Sequence, residues 1–262
     1  MPDHRSALTI IVLAHRADDR LVKSVASANF AQEILVVVTD HHPAIAERLK
    51  KFPVRLVNLF PEFAHQPFDF SWLRNQALNL AKFDWVFFLD SDEIFASRSQ
   101  SQIDLILIND QINAAWVKRV DIFAGRPLRW GEVGNYQVVR IGRKAVMKFI
   151  RPVHELAQVS GNIGQSSIIL YHYAHLSVSE FVSKVGTYAA LEAQYRHQLH
   201  DDPLMIESLI YPKGKFLFNY FLKFGIGDGW PGLVYAIMMS FHSFFVRVFS
   251  YELTHPLSHR RS

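Results

Sequence analysis

The segment Trp85–Phe95 reads WVFFLDSDEIF, an apolar run that ends in three carboxylates within four positions. Five apolar residues precede Asp90, and only Ser91 interrupts the acidic group that continues with Asp92 and Glu93. Continuous apolar runs are typical of strands that are buried on both faces. Carboxylates this close repel one another unless a cation lies among them. The segment therefore predicts a buried strand that leads directly into a cation-binding site.

Three earlier runs of the same kind predict further strands that are buried on both faces: Leu8–Ala14 (LTIIVLA), Glu33–Thr39 (EILVVVT) and Val54–Phe60 (VRLVNLF). Apolar residues at helical spacing fill the gaps between these runs, and Ser71 is the predicted N-cap of a helix that precedes Trp85. Strands that alternate with helices in this way predict an α/β fold with a parallel sheet. Ligands of open parallel sheets bind at the carboxyl edge, where Asp90 and Asp92 are expected.

Composition bounds the class of protein. The chain has 262 residues, of which 50% are hydrophobic, so it can form a sizeable core. It contains no cysteine, which excludes disulfides, thiolate metal sites and a cysteine nucleophile. The net charge is +4, without a Lys/Arg block typical of a nucleic-acid arm, so no nucleic-acid partner is predicted. The short N-terminal apolar run ends at His15 and Arg16, and we interpret it as a first strand rather than a signal peptide.

The acidic pair suits a divalent ion. In an extended backbone Asp90 and Asp92 point to the same side, with Cα atoms roughly 6.5–7 Å apart. Carboxylate oxygens in this arrangement suit Mg²⁺ or Mn²⁺, which commonly bind substrate phosphates as well. Two alternatives stay open: solvated aspartates in a turn, and a phosphatase of the haloacid-dehalogenase type with Asp90 as nucleophile. The second places its D-x-D after the first strand, whereas here the motif follows the fourth.

Several motifs together resemble a known family. They are WLRNQALNLAKFDWVFFLDSDE, RVDIFAGRPLRWG, VVRIGRKA and RPVHE, followed by DGWPGLVYAIMMSF near the C-terminus. The chain is similar over nearly its whole length to the inverting family 2 glycosyltransferases of GT-A fold, in particular to the bacterial branch with lipopolysaccharide-core glucosyltransferases. The resemblance implies a Rossmann-like, mostly parallel sheet flanked by helices, with a C-terminal amphipathic helical extension.

The resemblance also implies a division of the chain and of its site. Residues 1–203 would form the catalytic domain, with a nucleotide-sugar half (1–100) and an acceptor half (101–203), and 204–262 a helical segment. Asp90 and Asp92 match the D-x-D motif that holds the metal and the diphosphate. Arg74 and Asn75 match a pair that contacts the nucleotide, and Asp40 matches a nucleobase or ribose contact. Around Asp40, however, TDHHP replaces the usual DDGS.

Glu155 of RPVHE falls at the position of the family's catalytic carboxylate, which takes the proton from the acceptor hydroxyl. Asp121 and Glu132 are the spare candidates for this base. The alternative for Glu155 is a surface salt bridge with Arg151. The remaining predicted substrate contacts are Glu93, Arg151 and His154.

Two further histidines, His172 and His175, invite a zinc hypothesis. The segment IILYHYAHL is typical of a strand, in which residues three apart do not point the same way. We therefore expect structural roles for both.

The C-terminal apolar segments raise the question of a membrane. PGLVYAIMMSFHSFFV has only about sixteen residues, short of the roughly 20 that span a bilayer. Basic residues flank the apolar segments, which favours helices that lie at the membrane–water interface of a leaflet with anionic lipids. The alternatives are a helical hairpin packed on the catalytic domain and a homo-oligomer contact.

The resemblance therefore predicts a metal-dependent enzyme with Mg²⁺ or Mn²⁺. It would transfer a sugar from a nucleotide-diphosphate sugar, most simply a UDP-sugar, to a hydroxyl of a lipid-linked or cell-envelope glycan. Its expected location is the inner face of the cytoplasmic membrane. Two other classes stay open: a D-x-D phosphohydrolase, and a non-catalytic module that binds sugar nucleotides or membranes.

Overall fold

Four parallel strands form one half of the central sheet in the computed structural model, which describes residues 7–40, 42–59, 69–151, 155–175, 177–201 and 203–255. They are β1 (Leu8–Ala14), β2 (Glu33–Val38), β3 (Val54–Asn58) and β4 (Trp85–Asp90). β1 pairs with both β2 and β4, and β2 pairs with β3. All four predicted strands are therefore confirmed, within the residues that are described.

Helices connect and follow these strands: α1 (Asp19–Ser27), α2 (Ala44–Leu49), α3 (Phe70–Leu80) and α4 (Ser99–Leu107). Asp18 is the N-cap of α1 and accepts hydrogen bonds from the backbone N–H groups of Arg20 and Leu21. The predicted N-cap of α3, Ser71, is wrong. Asp69 is the N-cap instead, because its Oδ1 accepts from the Trp72 N–H and from the Ser71 hydroxyl, which lies within the first turn.

The other half of the sheet is largely antiparallel. Its strands are β5 (Glu93–Phe95), β6 (Ala114–Phe123), β7 (Arg126–Pro127), β8 (Gln137–Arg143) and β11 (Ile163–His175). A separate two-stranded hairpin consists of β9 (Met147–Ile150) and β10 (Leu156–Val159). The strand order is β3-β2-β1-β4-β8-β6-β11-β5, while β9 and β10 pair with each other. The α/β fold class predicted from the sequence is confirmed, and β1 to β4 pair in parallel.

Each buried strand supplies two cores, one on either face of the sheet. Alternate residues of β1 divide between them, so that Ile10 and Val12 pack in one core and Ile11 and Leu13 in the other. This two-sided burial is the reason for the continuous apolar run. β3 is the exception to the prediction of two buried faces: it is an edge strand, and Leu56 is 38% exposed.

The chain divides into two compact units, the first formed by residues 1–120 and 136–173 and the second by residues 121–135 and 174–262. The second contains α5 (Val178–Gln198), α6 (Glu207–Leu217) and α7 (Trp230–Thr254). Its core includes Phe181, Tyr235 and Met238. The structure groups α5 with the C-terminal helices, while the functional boundary at residue 203 stays a prediction.

The spacing of Ser177 and Glu180 is typical of a capping box and predicts the beginning of a helix, and α5 begins there. Ser177 is its N-cap, and the hydroxyl accepts a hydrogen bond from the Glu180 N–H at 3.1 Å. α7 is longer than the apolar stretch considered in the sequence, since it extends to Thr254. α7 has 25 residues and a mean hydropathy of 1.5 in its most apolar window, so its length and composition would allow it to cross a membrane. Core helices of soluble proteins can have the same length and composition.

The stretch GIGDGWPG, residues 225–232, predicts a hinge between two apolar helical segments, and the structure has a loop there that leads into α7. Asp228 of this loop accepts hydrogen bonds from the backbone N–H groups of Arg129 and Trp130. At the beginning of α7, a Cβ atom on Gly232 would lie 2.0 Å from the Gly225 carbonyl oxygen. The loop therefore closes on α7 only because position 232 has no side chain.

We expect Gly232→Ala to lower the free energy of unfolding by about 1–3 kcal/mol or more, since the new methyl group meets backbone that cannot rotate away. Gly186→Ala is the matched control, because no atom lies within 4 Å of a Cβ built at this site inside α5. That change should raise the free energy of unfolding by roughly 0.5–1 kcal/mol. Denaturant titration measures both, and a neutral Gly232→Ala would contradict the close approach.

Candidate active site

Asp90 and Asp92 lie at the carboxyl end of β4, but on different local structures. Asp90 is the last residue of the strand, and residues 91 and 92 form a turn before β5. The extended backbone under which both aspartates would point to the same side therefore ends at Asp90, and Asp92 lies in a turn. The turn is held from within, because the Asp90 N–H donates to Glu93 Oε2 at 3.0 Å, and from β11, because the Tyr173 N–H donates to the Asp92 carbonyl at 2.8 Å.

Two guanidinium groups neutralise Asp90. Arg74 Nη2 donates to Asp90 Oδ1 at 2.7 Å, and Arg140 Nη2 donates to Asp90 Oδ2. Burial by itself would raise the pKa of Asp90, but the charges of Arg140 and Arg74 outweigh it and hold that pKa far below its usual range. Asp90 is therefore a permanent anion in this site.

Arg74 also connects the acidic motif to Glu155. Its Nε donates to Glu155 Oε1 at 2.7 Å, so one guanidinium holds carboxylates that are 65 positions apart in the sequence. The group is nearly inaccessible, with 3% of its side chain exposed. The rings of Phe88 and Phe149 lie 5.2 and 5.4 Å from its central carbon, which gives the cation two aromatic neighbours.

Arg140 and Glu93 form the buried side of the same cluster. Arg140 Nη2 donates to Glu93 Oε1 at 3.1 Å, and Glu93 is completely buried. Burial raises the pKa of Glu93, and the negative charge of Asp90 adds to this, against the opposing charge of Arg140. The pKa of Arg140 is itself raised, because Asp90 and Glu93 outweigh the effect of burial. Full burial favours a structural role for Glu93 over the predicted substrate contact.

Asp92 has a different neighbour. Its Oδ1 lies 3.5 Å from His172 Nε2, and the two side chains are 23% and 14% exposed, respectively. The register of β5 and β11, with His172 opposite Glu93, brings this histidine beside the acidic turn. No group of three or more His, Asp or Glu side chains within the described ranges could hold a metal ion. Asp92 and His172 therefore form a two-residue donor set that needs further ligands.

The remaining predicted site residues are dispersed. Asn75 uses its amide on the backbone of Phe149, donating to the carbonyl and accepting from the N–H at 2.8 Å each, which favours a structural role. Asp40 is exposed just beyond β2, and Arg151 follows β9 with a left-handed φ of 73°. His154 lies outside the described residues. The two spare bases, Asp121 and Glu132, belong to the second unit, where Glu132 forms an ion pair with Lys215.

Two contributors, Arg140 and His172, were missed as site residues by sequence reasoning. The signal for Arg140 is a charged residue within the apolar strand VVRIG, where the structure has buried neighbours on either side. A buried arginine needs an anionic partner, so Arg140 was a candidate site residue, but the local sequence does not show which acid it binds. His172 was assigned a structural role because its partner in β5 cannot be read from local spacing.

No protein-family model matches the chain. Among solved structures, TarS of S. aureus aligns with 94% of this chain at 13% identity and a TM-score of 0.45, and the chain spans 55% of that protein. Residues 1–349 of TarS in complex with UDP-GlcNAc align with 97% of this chain at 13% identity and a TM-score of 0.44, covering 93% of that chain.

A third structure is glucosyl-3-phosphoglycerate synthase from Mycobacterium tuberculosis in complex with Mn²⁺, UDP and phosphoglyceric acid. It aligns with 44% of this chain and 43% of its own at 18% identity, with a TM-score of 0.35. At these identities and scores the similarities carry no argument about activity. The interpretation of the site therefore rests on the residues of this chain.

We expect Arg140→Met to lower the free energy of unfolding by about 3–5 kcal/mol, because it leaves Asp90 and Glu93 without their shared cation. Arg143→Met, on the same strand, is the matched control. Arg143 pairs with the more exposed Asp84 and Asp110, so its loss should cost about 1 kcal/mol or less. Urea denaturation measures both.

The same cluster predicts a partial rescue. In Arg140→Met, Asp90 keeps Arg74 as a partner, whereas Glu93 loses the cation it pairs with. Adding Glu93→Gln removes this buried charge, so the double variant should regain part of the lost stability. Equal losses for Arg140→Met and Arg143→Met, or no coupling with Glu93→Gln, would contradict the charge assignment.

Proposed function

We propose that this protein is a metal-dependent, inverting glycosyltransferase that uses a nucleotide-diphosphate sugar. One observation carries the proposal. Arg74, Asp90 and Glu155 match three separate motifs of the resemblance, and their side chains meet in one hydrogen-bonded cluster at the carboxyl edge of parallel strands. That edge is where open α/β sheets bind nucleotide ligands.

In this proposal Glu155 is the general base. It is within the cluster yet 17% exposed, so a hydroxyl of an acceptor can approach it. Oε1 is held by Arg74, and Oε2 takes the proton as the hydroxyl oxygen attacks the anomeric carbon. Attack from the face opposite the departing diphosphate inverts the configuration of that carbon. Arg74 is a positioning residue, because its hydrogen bond fixes the orientation of the carboxylate.

Asp92 and His172 suit a divalent ion. The carboxylate oxygen and the imidazole nitrogen lie 3.5 Å apart and could bind one Mn²⁺ or Mg²⁺ together, with water and phosphate oxygens as the further ligands. When bound, such an ion neutralises the charge that develops on the departing diphosphate. Asp90 contributes mainly through its guanidinium partners, since both of its carboxylate oxygens already accept hydrogen bonds from them.

The phosphohydrolase alternative is less well supported by the same geometry. It needs an Asp90 oxygen as nucleophile, and hydrogen bonds from Arg74 and Arg140 occupy both oxygens. A UDP-sugar as donor, with Asp40 at the nucleobase or ribose, rests on the sequence resemblance. The same holds for a lipid-linked or cell-envelope glycan as acceptor.

We also propose that the second unit holds the enzyme on the inner face of the cytoplasmic membrane. Support comes from large apolar side chains that remain exposed around the end of α6, including Leu217 and Leu222 at 52% and 71%. Lys213 and Lys223 lie in the same segment. Apolar side chains next to lysines are typical of surfaces that enter an anionic interface.

The catalytic roles predict opposite effects for two substitutions. Asp92→Ala should abolish the Mn²⁺-dependent rise in thermal stability with a UDP-sugar, a rise worth about 2.7 kcal/mol at a ligand concentration of 100 times Kd. Glu155→Gln should keep that binding, because Gln still accepts from Arg74, while transfer falls by about 10²–10⁴-fold.

Asp84→Asn, which alters an acid paired with Arg143 away from the cluster, is the control and should change neither quantity. Transfer is measured by release of the nucleoside diphosphate and by the anomeric configuration of the product. Near-normal turnover by Glu155→Gln would refute the base, and metal-dependent binding by Asp92→Ala would refute the metal site.

The membrane proposal has its own test. Replacing Leu217 and Leu222 together by Ser should lower the fraction bound to anionic vesicles by about tenfold or more, since each large apolar side chain contributes roughly 1.5–3 kcal/mol when buried. Leu105 and Ile108, 60% and 67% exposed in the first unit, form the matched control pair. Their replacement by Ser should leave sedimentation with vesicles unchanged, and equal losses would contradict the assignment.

A further inference from the structure

A cleft of about 540 Å³ opens among α5, α6 and α7, entirely within the second unit. Its volume lies within the range of small-molecule sites. Three cations line it: Arg196 from α5, Lys215 from α6 and Arg247 from α7. The lining contains one carboxylate, Glu192. The cleft therefore combines charges that come from three different helices, and no step of the proposed reaction uses it.

Arg247 is the most constrained of these cations. Its guanidinium lies 3.9 Å from the centroid of the Tyr211 ring, and Nη1 donates to the carbonyl and the hydroxyl of Ser243 at 2.9 and 2.8 Å. Nε is buried and has no hydrogen-bond acceptor within the part of the chain that is described. A carboxylate oxygen of Glu207 lies 3.8 Å from Nε, too far for a hydrogen bond.

Two of the cations, Arg196 and Lys215, already form ion pairs with carboxylates, and these pairs can be weak enough for another anion to bind. Arg196 pairs with Asp201, whose side chain is 62% exposed, and Lys215 pairs with Glu132. A pair with so exposed a carboxylate as Asp201 contributes little stability, so Arg196 can bind another anion in its place. Lys215 and Glu132 are less exposed, at 38% and 26%. The pKa of Arg247 is lowered by burial and by the charge of Arg196, so an anion between the two guanidiniums would relieve an existing repulsion.

The aromatic residues of the cleft distinguish between ligand classes. A sugar would need an open aromatic face, but Arg247 covers Tyr211 and Lys223 lies 5.4 Å from the Phe218 centroid. Guanidinium groups match phosphate oxygens in geometry and charge. The aromatic and cationic pattern therefore favours a phosphate over a neutral sugar.

Apolar residues continue from the cleft onto the surface. Ile210 and Phe218 line it while remaining 59% and 42% exposed, and Leu217 and Phe221 extend the apolar surface beside them. A ligand that binds both the cations of the cleft and the apolar surface beside it would carry a phosphate next to a hydrocarbon chain. We propose that this cleft binds the phosphate headgroup of an anionic membrane lipid. The inference deepens the membrane part of the proposed function and is independent of sugar transfer.

The test measures binding of the full-length protein to vesicles of phosphatidylcholine alone, with phosphatidic acid, or with oleic acid at matched charge. We expect the strongest binding with phosphatidic acid, because oleic acid supplies charge without an exposed phosphate. Arg196→Gln should weaken binding to the phosphatidic acid vesicles by more than about tenfold. Lys213→Gln, the same charge change on the exposed side of α6, should weaken it by about fivefold at most.

Each outcome decides the proposal. Equal losses for Arg196→Gln and Lys213→Gln, or equal binding to phosphatidic and oleic acid vesicles, would overturn it in favour of general electrostatic attraction. Glycerol 3-phosphate that shifts the melting temperature as much as dihexanoyl phosphatidic acid would also overturn it, because the ligand would then be a soluble phosphate.

Unchanged melting temperatures and circular dichroism must accompany the binding losses, which excludes unfolding as their cause. Failure of this inference is distinguishable from failure of the proposed function. Loss of phosphate selectivity alone leaves apolar attachment through Leu217 and Leu222 intact. Glu155→Gln should bind the vesicles normally, even though it loses transfer.

Discussion

The interaction on which the rest of this structure depends is the pairing of Arg74 and Arg140 with Asp90 at the end of a buried strand. A strand as apolar as β4 is stabilised by burial, and its final carboxylate cannot follow it into the interior without compensating charge. The two guanidiniums supply that charge from opposite parts of the chain, one from α3 and one from β8. Because each also binds a second carboxylate, the cluster joins three acids to two bases.

Much of this arrangement follows from local sequence. The four parallel strands, the glycine-rich loop before α7 and the cap of α5 all depend on patterns that extend over a few residues. Asp90, Arg74 and Glu155 were reached through motifs. The parts that escaped prediction depend on contacts between distant segments. Arg140 is an isolated charge until β8 is paired with β4, and His172 lacks a partner until β11 is aligned with β5.

The incorrect details have similar causes. An extended backbone through Asp92 was a fair expectation, yet the Glu93 side chain accepts the Asp90 N–H and stabilises a turn. Ser71 was the predicted cap, but the carboxylate of Asp69, two residues earlier, accepts hydrogen bonds from the backbone and from the serine hydroxyl. β3 has the composition of a central strand, but its place at the edge depends on the order of the whole sheet.

Asn75 joins two of the elements that carry the site, α3 and the hairpin of β9 and β10. Its amide forms two hydrogen bonds with the backbone of Phe149, as a strand partner would, so the helix that carries Arg74 is fastened to the hairpin from whose second strand Glu155 extends. Helix and hairpin are therefore joined at two places, at the Asn75 amide and at the Arg74–Glu155 ion pair. Because Arg74 also binds Asp90, a displacement of the hairpin would disturb the contact with the end of β4 as well, so Glu155 keeps its position relative to that edge.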